Sequence, residues 1–255
     1  MDISDARVKQ VRRISPHMAR VSLTGAQLRR ITATCPDAYV KLFFPLPGQD
    51  RPRLPDLGSE SWYRTYLAMP EETRPPMRTY TIRAHRGTEV DIDFVLHDDG
   101  GPAGTWAAAA QPGDQVTVLG TGGLHLPPPD TEWQLLIGDE SALPAIGAIL
   151  EQLPPGAIAH AFIEVDGPAE EQRFTTLGNI DVRWVHRGSA PHGESVLNAV
   201  RFARLPEGTP YSWISGEAGM VKFARRHLVR ERGFAKSAIT FTGYWRRGAT
   251  QDQLA

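Results

Sequence analysis

The sequence predicts a chain of two differently folded parts, an antiparallel β-barrel followed by an α/β domain with an open parallel sheet. Its 255 residues are enough for one large or two modest domains. Short β-rich runs closed by turn residues fill the first half, whereas strand-like and helix-like runs alternate in the second half. The pattern changes close to Pro127-Pro128-Pro129, which we interpret as a stiff extended linker. We therefore predict domains over residues 1–126 and 127–255.

Composition limits the chemistry that the chain can perform. Hydrophobic residues make up 41% and charged residues 22%, which is typical of a globular protein with a sizeable core. Cys35 is the single cysteine, so an internal disulfide or a four-cysteine iron–sulfur cluster is excluded, and the eight histidines show no metal-ligand spacing. No apolar run has the length of a membrane helix and no signal peptide is recognisable, so we expect a cytoplasmic protein without membrane insertion. The net charge of −1 argues against a surface built for nucleic acid.

The first half is predicted to form a small closed or nearly closed barrel, because it holds at least five β-rich runs and one short helix. The predicted strands are 19–24, 39–44, 78–84, 90–96 and 115–119, and the predicted helix is 105–110. Residues 45–77 are rich in proline and arginine. We interpret them as a long loop that contributes little to the core.

The second half is predicted to form a parallel sheet, because strands and helices alternate along it. The predicted strands are 133–137, 158–165, 182–185, 211–214 and 238–241, and the predicted helices are 143–153, 196–205 and 220–231. Ligands of such sheets bind at the carboxyl ends of the strands. Two strand–turn–helix corners, 135–144 and 214–220, could bracket one ligand.

Two short segments could carry chemistry or serve only the fold. The bend from His97 to Trp106 runs through glycines into a helix, where backbone amides could bind a phosphate or merely make a tight connection. Asp139, Glu140 and Ser141 follow the first strand of the second half. Their flanks do not form a nucleophile elbow, so they either cap the following helix or contact a ligand.

The C-terminal third has a strong positive bias. Between residues 201 and 247 there are ten lysines and arginines against three acids. Those on the helix from Met220 are expected to form a solvated face. Arg246 and Arg247 differ, because they follow Tyr244-Trp245, and aromatic rings beside guanidinium groups can stack on a planar cofactor and hold an anion.

Five motifs in this order give the chain a family resemblance. They are Arg78-Thr79-Tyr80-Thr81, the bend 97–106, the segment 138–145, Gly216-Glu217-Ala218-Gly219 and the segment 243–248. Together they resemble the siderophore-interacting protein family of flavin-dependent ferric-siderophore reductases, from about Val8 to Gly248. The resemblance implies a ferredoxin-reductase-like architecture, in which an FAD-binding antiparallel barrel precedes a nicotinamide-binding α/β domain.

The resemblance also implies roles for individual residues around FAD. Arg78 would hold the pyrophosphate, Tyr80 would lie along the flavin and Thr81 would bond near its N5. Further FAD contacts are expected from Val95, Leu96, His97, Pro102, Ala103, Gly104 and Thr105, the last four at the pyrophosphate. The C-terminal tail would return so that Trp245 covers the flavin.

The remaining implied roles concern the electron donor and the substrate. The cofactor-binding residues of the second half would be Asp139, Glu140, Ser141, Gly216 and Glu217. Arg246 and Arg247, with Lys41, would form a basic pocket for the anionic ferric siderophore. A flavin suits this reaction because it can accept a hydride from a nicotinamide and pass single electrons to iron(III).

Several alternatives stay open at the level of sequence. The donor could be NADPH, NADH or ferredoxin, and Arg187 either meets a 2′-phosphate or is a surface-loop arginine. The chain could instead be a general flavin or electron-transfer reductase with another acceptor, or a siderophore-binding module without turnover. A role with nucleic acid depends only on the basic C-terminal third.

Overall fold

The computed structural model describes residues 3–55, 62–96 and 101–249. The chain divides into two compact units. The first comprises residues 1–34 and 38–123, and the second comprises residues 35–37 and 124–255.

The first unit contains a seven-stranded antiparallel sheet that closes on itself. Its strands are β1 (Ile3–Ser15), β2 (Met18–Thr24), β3 (Tyr39–Phe43), β4 (Met77–Thr81), β5 (Ala84–Arg86), β6 (Glu89–Val95) and β7 (Gln115–Gly122), in the order β4-β3-β7-β1-β2-β6-β5. The edge strands β4 and β5 are consecutive in the chain. Between them, the Ile82 amide donates to the Ala38 carbonyl and the Arg83 amide to the Asp91 carbonyl. The two sheet edges therefore meet, which confirms the predicted antiparallel barrel.

The barrel core comes from buried side chains on the inner face of the strands, which alternate with less buried ones in β2 and at the start of β1. Val21 and Leu23 of β2, Val40 and Leu42 of β3, and Ile92 of β6 are almost fully buried in one cluster. The long strand β1 was not predicted. Only Ala6 and Val8 of β1 belong to this cluster, because most of its other residues are charged or polar, and so its sequence carries a weak hydrophobic signal.

The prediction that residues 45–77 contribute little to the core was wrong. This segment contains the short helix α1 (Trp62–Leu67), and its Tyr66 is buried against Phe43 and Leu119. The Tyr66 hydroxyl donates to the Pro75 carbonyl at 2.9 Å. The prediction failed because proline and arginine dominate the composition of this segment and indicate a loop. Its aromatic residues nevertheless pack on the outer face of β3.

The second unit contains a five-stranded parallel sheet, as predicted. Its elements are β8 (Trp133–Gly138), α3 (Leu143–Glu151), β9 (Ile158–Val165), β10 (Asn179–His186), α4 (Glu194–Arg201), β11 (Pro210–Glu217), α5 (Ala218–Glu231) and β12 (Ile239–Trp245). The remaining helix, α2 (Pro102–Ala109), belongs to the first unit. The strand order β10-β9-β8-β11-β12 places β8 at the centre. In the described part of the chain, no helix is long and apolar enough to cross a membrane.

Asp37 organises the start of the second unit. Its buried carboxylate accepts hydrogen bonds from the amides of Leu124 and His125 and from the indole of Trp213, each at 2.9 Å. The His125 ring nitrogen Nε2 lies 2.7 Å from the side-chain oxygen of Gln134. The chain entering β8 is thus fixed by side chains, before the proline run begins.

His125 generates a prediction about pH. Burial lowers the pKa of His125 below its ordinary 6.5, and the Gln134 bond and the Asp37 charge only partly oppose this. Because the unfolded chain binds the proton more tightly, neutral His125 stabilises the fold above pH 6.5. That contribution is lost as the pH falls through the lowered pKa, at up to about 1.4 kcal/mol per pH unit. In urea unfolding between pH 7.5 and 5, His125→Phe should lose less stability on acidification than the wild type. Equal slopes for the two proteins would contradict this assignment.

Candidate functional site

In the first unit, Arg78 and Tyr80 lie on one face of β4. They are two residues apart, and Tyr80 packs against Phe94 with ring centroids 4.3 Å apart. Burial raises the pKa of the Tyr80 phenol, although the charge of Arg78 opposes the shift, so the hydroxyl stays protonated. A half-buried guanidinium and an aromatic ring therefore face the same side of the strand.

Thr81 and Lys41 belong to the other face of the same strand pair. Lys41 is opposite Thr79 in the register of β3 and β4, and its Nζ lies 3.5 Å from the Thr79 hydroxyl. Burial lowers the pKa of Lys41. The alternation of β4 thus separates Thr81 and Lys41 from Arg78 and Tyr80, and the predicted roles of these residues stay predictions.

The helix α2 begins beside the end of β6. Pro102 is its first residue, three residues earlier than predicted, and the Thr105 amide closes the first helical bond to the Gly101 carbonyl at 3.1 Å. A Cβ at Gly104 would lie 3.6 Å from the carbonyl oxygen of Val95. The helix therefore starts close against the strand.

The start of α2 has the properties of a phosphate-binding end. Helical geometry directs the amides of Ala103 and Gly104 out of this end, and no acidic residue occupies the first turn. These amides could bind a phosphate group, and the predicted role of Arg78 beside them stays a prediction. Leu96 directs its side chain into the barrel core, so only its backbone is available to a ligand. His97 lies outside the described residues.

In the second unit, the carboxylate of Asp139 collects four hydrogen bonds at the carboxyl end of β8. One oxygen accepts from the amide and the hydroxyl of Ser141, at 2.9 and 2.5 Å. The other accepts from the Glu217 amide at 2.7 Å and from the Trp245 indole at 2.9 Å. Burial raises the pKa of Asp139, and the bonds from Ser141, Trp245 and Glu217 act in the opposite direction. Asp139 therefore joins the ends of β8, β11 and β12.

Gly216 and Glu217 form the second predicted corner. Gly216 has a φ of +136°, and a Cβ there would lie 2.6 Å from a carboxylate oxygen of Asp139. The Glu217 side chain accepts a bond from the Met220 amide at 2.9 Å and so caps α5. The structure thus brings the two corners, 135–144 and 214–220, to the same edge of the sheet.

Glu140 belongs to a second cluster of polar side chains at this edge of the sheet, centred on Arg187. Both of its oxygens bind the guanidinium of Arg187, at 3.1 and 2.5 Å. Arg187 also lies 3.5 Å from Glu164 and 3.6 Å from Asp166, and one of its nitrogens is 2.9 Å from Nδ1 of His192. Arg187 is therefore a largely buried ion-pair partner and not a surface-loop arginine.

Trp245 connects these two clusters. Its indole donates to Asp139, and its ring meets that of His192 edge to face, with centroids 5.1 Å apart. Arg246 and Arg247, which follow it, are exposed. Sequence analysis missed His192 and Glu164, because neither belongs to a recognisable motif. Among residues 3–55, 62–96 and 101–249, no group of three acidic, histidine or cysteine side chains could hold a metal ion.

Comparison with known proteins gives matches in both halves of the chain. The family described as siderophore-interacting FAD-binding domain matches residues 7–125, and the family described as siderophore-interacting protein matches residues 131–248. An NADPH-dependent ferric-chelate reductase of Escherichia coli is 34% identical over 93% of this chain and 91% of its own length. The ferric vibriobactin reductase of Vibrio cholerae is 31% identical, over 94% of this chain and 88% of its own.

Solved structures agree with this. A siderophore utilization protein from T. fusca superimposes with a TM-score of 0.83 and 34% identity, over 100% of this chain and 98% of that chain. A ferredoxin NADP+ reductase from Neisseria gonorrhoeae, with bound FAD and NADP, gives a TM-score of 0.67 at 16% identity. It covers 96% of this chain and 100% of its own, and at this identity it shows the fold alone, which confirms the ferredoxin-reductase-like architecture.

The close approach of Gly216 to Asp139 can be tested by substitution. Gly216→Ala should lower the melting temperature, because the added Cβ would collide with the carboxylate and the positive φ would be strained, at a cost of about 1–3 kcal/mol for the strain alone. The matched control is Gly167→Ala, since Gly167 is extended and a Cβ there meets nothing within 4 Å. Equal melting temperatures for the two variants would show that the Gly216 contact is unimportant.

Proposed function

The chain belongs to the siderophore-interacting protein family, and we propose that it is an FAD-dependent reductase that uses NADPH or NADH to reduce ferric siderophores and release iron(II). The observation that carries the proposal is the match of both halves of the chain, in order, to the two domains of this family. Reductases of ferric chelates are related to it over nearly the whole chain. We propose that residues 1–126 hold FAD and that residues 127–255 hold the electron donor.

The barrel residues support the binding of FAD. Arg78 and the amides of Ala103 and Gly104 offer positive charge and hydrogen-bond donors to the two phosphates. Tyr80, held against Phe94, offers a rigid ring that remains uncharged beside a flavin. Bound FAD supplies the capacity to take two electrons from a nicotinamide and to deliver them singly to iron(III).

The carboxyl edge of the second sheet supports the binding of the donor. Ligands of parallel sheets bind at this edge, and here Asp139 and Gly216 bring two strand–helix corners together. We place the reaction in the cytoplasm, because that is where the pool of reduced nicotinamide dinucleotides lies. Ferredoxin is an alternative electron donor, and the contacts at this edge of the sheet neither favour nor disfavour it.

The basic residues at the C-terminal end support an anionic substrate. Arg246 and Arg247 are exposed and follow Trp245, so their guanidinium groups are accessible to a ferric chelate. Siderophores bind iron through hard oxygen donors and hold iron(II) far less tightly than iron(III). Reduction alone therefore suffices to release the metal, and the protein needs no iron ligands of its own.

An anaerobic visible spectrum tests the proposed function directly. The purified protein, supplemented with FAD, should show flavin absorption that bleaches with NADPH or NADH and recovers on addition of a ferric siderophore, while a ferrous chelator in the solution becomes coloured. Bleaching without recovery would favour a reductase with another acceptor. Flavin binding without bleaching would favour a siderophore-binding module or a ferredoxin-dependent enzyme, and absence of flavin would overturn the proposal.

The role of Arg78 can be tested by FAD titration. Arg78→Ala should bind FAD about ten- to a hundredfold more weakly, because it removes a charge-assisted hydrogen bond worth about 1.5–3 kcal/mol. The control is Arg12→Ala on the exposed face of β1. Fluorescence titration of FAD into both apoproteins gives the comparison, and undiminished affinity in Arg78→Ala would remove this residue from the site.

A further inference from the structure

Arg187 occupies an unusual electrostatic position at the carboxyl edge of the parallel sheet. Its side chain is only 11% exposed and faces three carboxylates, Glu140, Glu164 and Asp166, within 3.6 Å. Glu140 engages both terminal nitrogens in the bidentate geometry that fixes the plane of a guanidinium. An arginine held in this way has little capacity left for a phosphate group, because its charge is already compensated.

The Arg187 side chain also contacts His192. Nη1 of Arg187 is 2.9 Å from Nδ1 of His192. Since arginine only donates, Nδ1 is the acceptor in this contact, which fixes the orientation of the imidazole ring. The backbone beside His192 is fixed as well, because the buried Glu164 accepts bonds from the amides of Gly193 and Val196, at 2.8 and 3.1 Å.

His192 in turn contacts Trp245. The two rings meet edge to face at an angle of 87°, with centroids 5.1 Å apart. On its polar edge, the indole is held by Asp139. The adjacent residues Asp139 and Glu140 therefore both determine where this indole lies, Asp139 directly and Glu140 through Arg187 and His192.

We propose that Arg187 is a positioning residue for Trp245, acting through His192, and that it does not bind the 2′-phosphate of NADPH. Glu140 holds the Arg187 guanidinium in one plane, and the guanidinium orients the imidazole of His192. The imidazole contacts the indole ring of Trp245, whose N–H is bound by Asp139. Only the statement about the 2′-phosphate rests on the proposed function. The placement of Trp245 stands on the contacts of the second unit alone.

The placement of Trp245 is tested by fluorine NMR of the full-length protein labelled with 5-fluorotryptophan. The chain has six tryptophans, and Trp245→Phe assigns the resonance of interest. Arg187→Met should shift or broaden that resonance, as should His192→Ala, which leaves the Arg187–Glu140 pair intact. The control is Arg183→Met, an exposed arginine of β10 paired with Asp181. An unchanged Trp245 resonance in Arg187→Met would overturn the proposal, whatever His192→Ala does.

The statement about the phosphate is tested by nucleotide binding. Adenosine 2′,5′-bisphosphate and adenosine 5′-monophosphate differ by the 2′-phosphate, so the ratio of their affinities reports its recognition. In Arg187→Met this ratio should stay within about twofold of that of the wild type, whereas loss of a direct phosphate contact would lower it by about tenfold or more. A tenfold fall would overturn this half of the proposal. The fluorine spectra decide the other half even if the protein proves not to be a reductase.

Discussion

The second unit depends on the carboxylate of Asp139, around which four hydrogen bonds converge. It binds Ser141 twice, the amide of Glu217 and the indole of Trp245, so the ends of three parallel strands converge on two oxygen atoms. Burial raises the pKa of the group, as does the neighbouring charge of Glu140, and the bonds from Ser141, Trp245 and Glu217 only partly oppose this. Removing the carboxylate would leave several buried donors unpaired, at about 1–3 kcal/mol each.

The close packing around this carboxyl group explains why glycine stands at position 216. The strand β11 must pass so close to Asp139 that a Cβ would overlap a carboxylate oxygen, and its backbone there has a φ of +136°. The pairing of β11 with β12 shows an irregularity between Gly216 and Glu217, where the Glu217 amide turns to the carboxylate. The hydrogen bond, the glycine and the strand irregularity are thus one feature, in which the pairing of the two strands is locally interrupted so that a buried carboxyl group receives its hydrogen bonds.

Sequence analysis predicted the elements whose structure is decided by local pattern. It failed where contacts between residues distant in sequence decide the structure. Buried runs such as 133–137 and the alternation in 90–96 predicted their strands well, because one period governs the whole segment. Tyr66 and the strand β1 were missed, since proline, arginine and lysine dominate their surroundings. Asp37 and His192 could not have been found, because the partners of Asp37 lie between 87 and 176 positions away and His192 acts through a ring contact. Asp139 and Glu140 also have a role that the sequence did not indicate, since they join the ends of strands, and their contact with a ligand stays a prediction.

The two kinds of basic residue at this edge differ in what they can do. Arg187 is compensated by three carboxylates and held in one plane, whereas Arg246 and Arg247 are exposed at the end of the last strand. Electron transfer benefits from groups that are already in place before the substrate arrives, because nothing then has to reorganise. Attraction of a bulky anionic chelate requires accessible charge that can adapt to its shape. In the proposed function, the fixed Arg187 would serve the first requirement through His192 and Trp245, and the exposed Arg246 and Arg247 would serve the second.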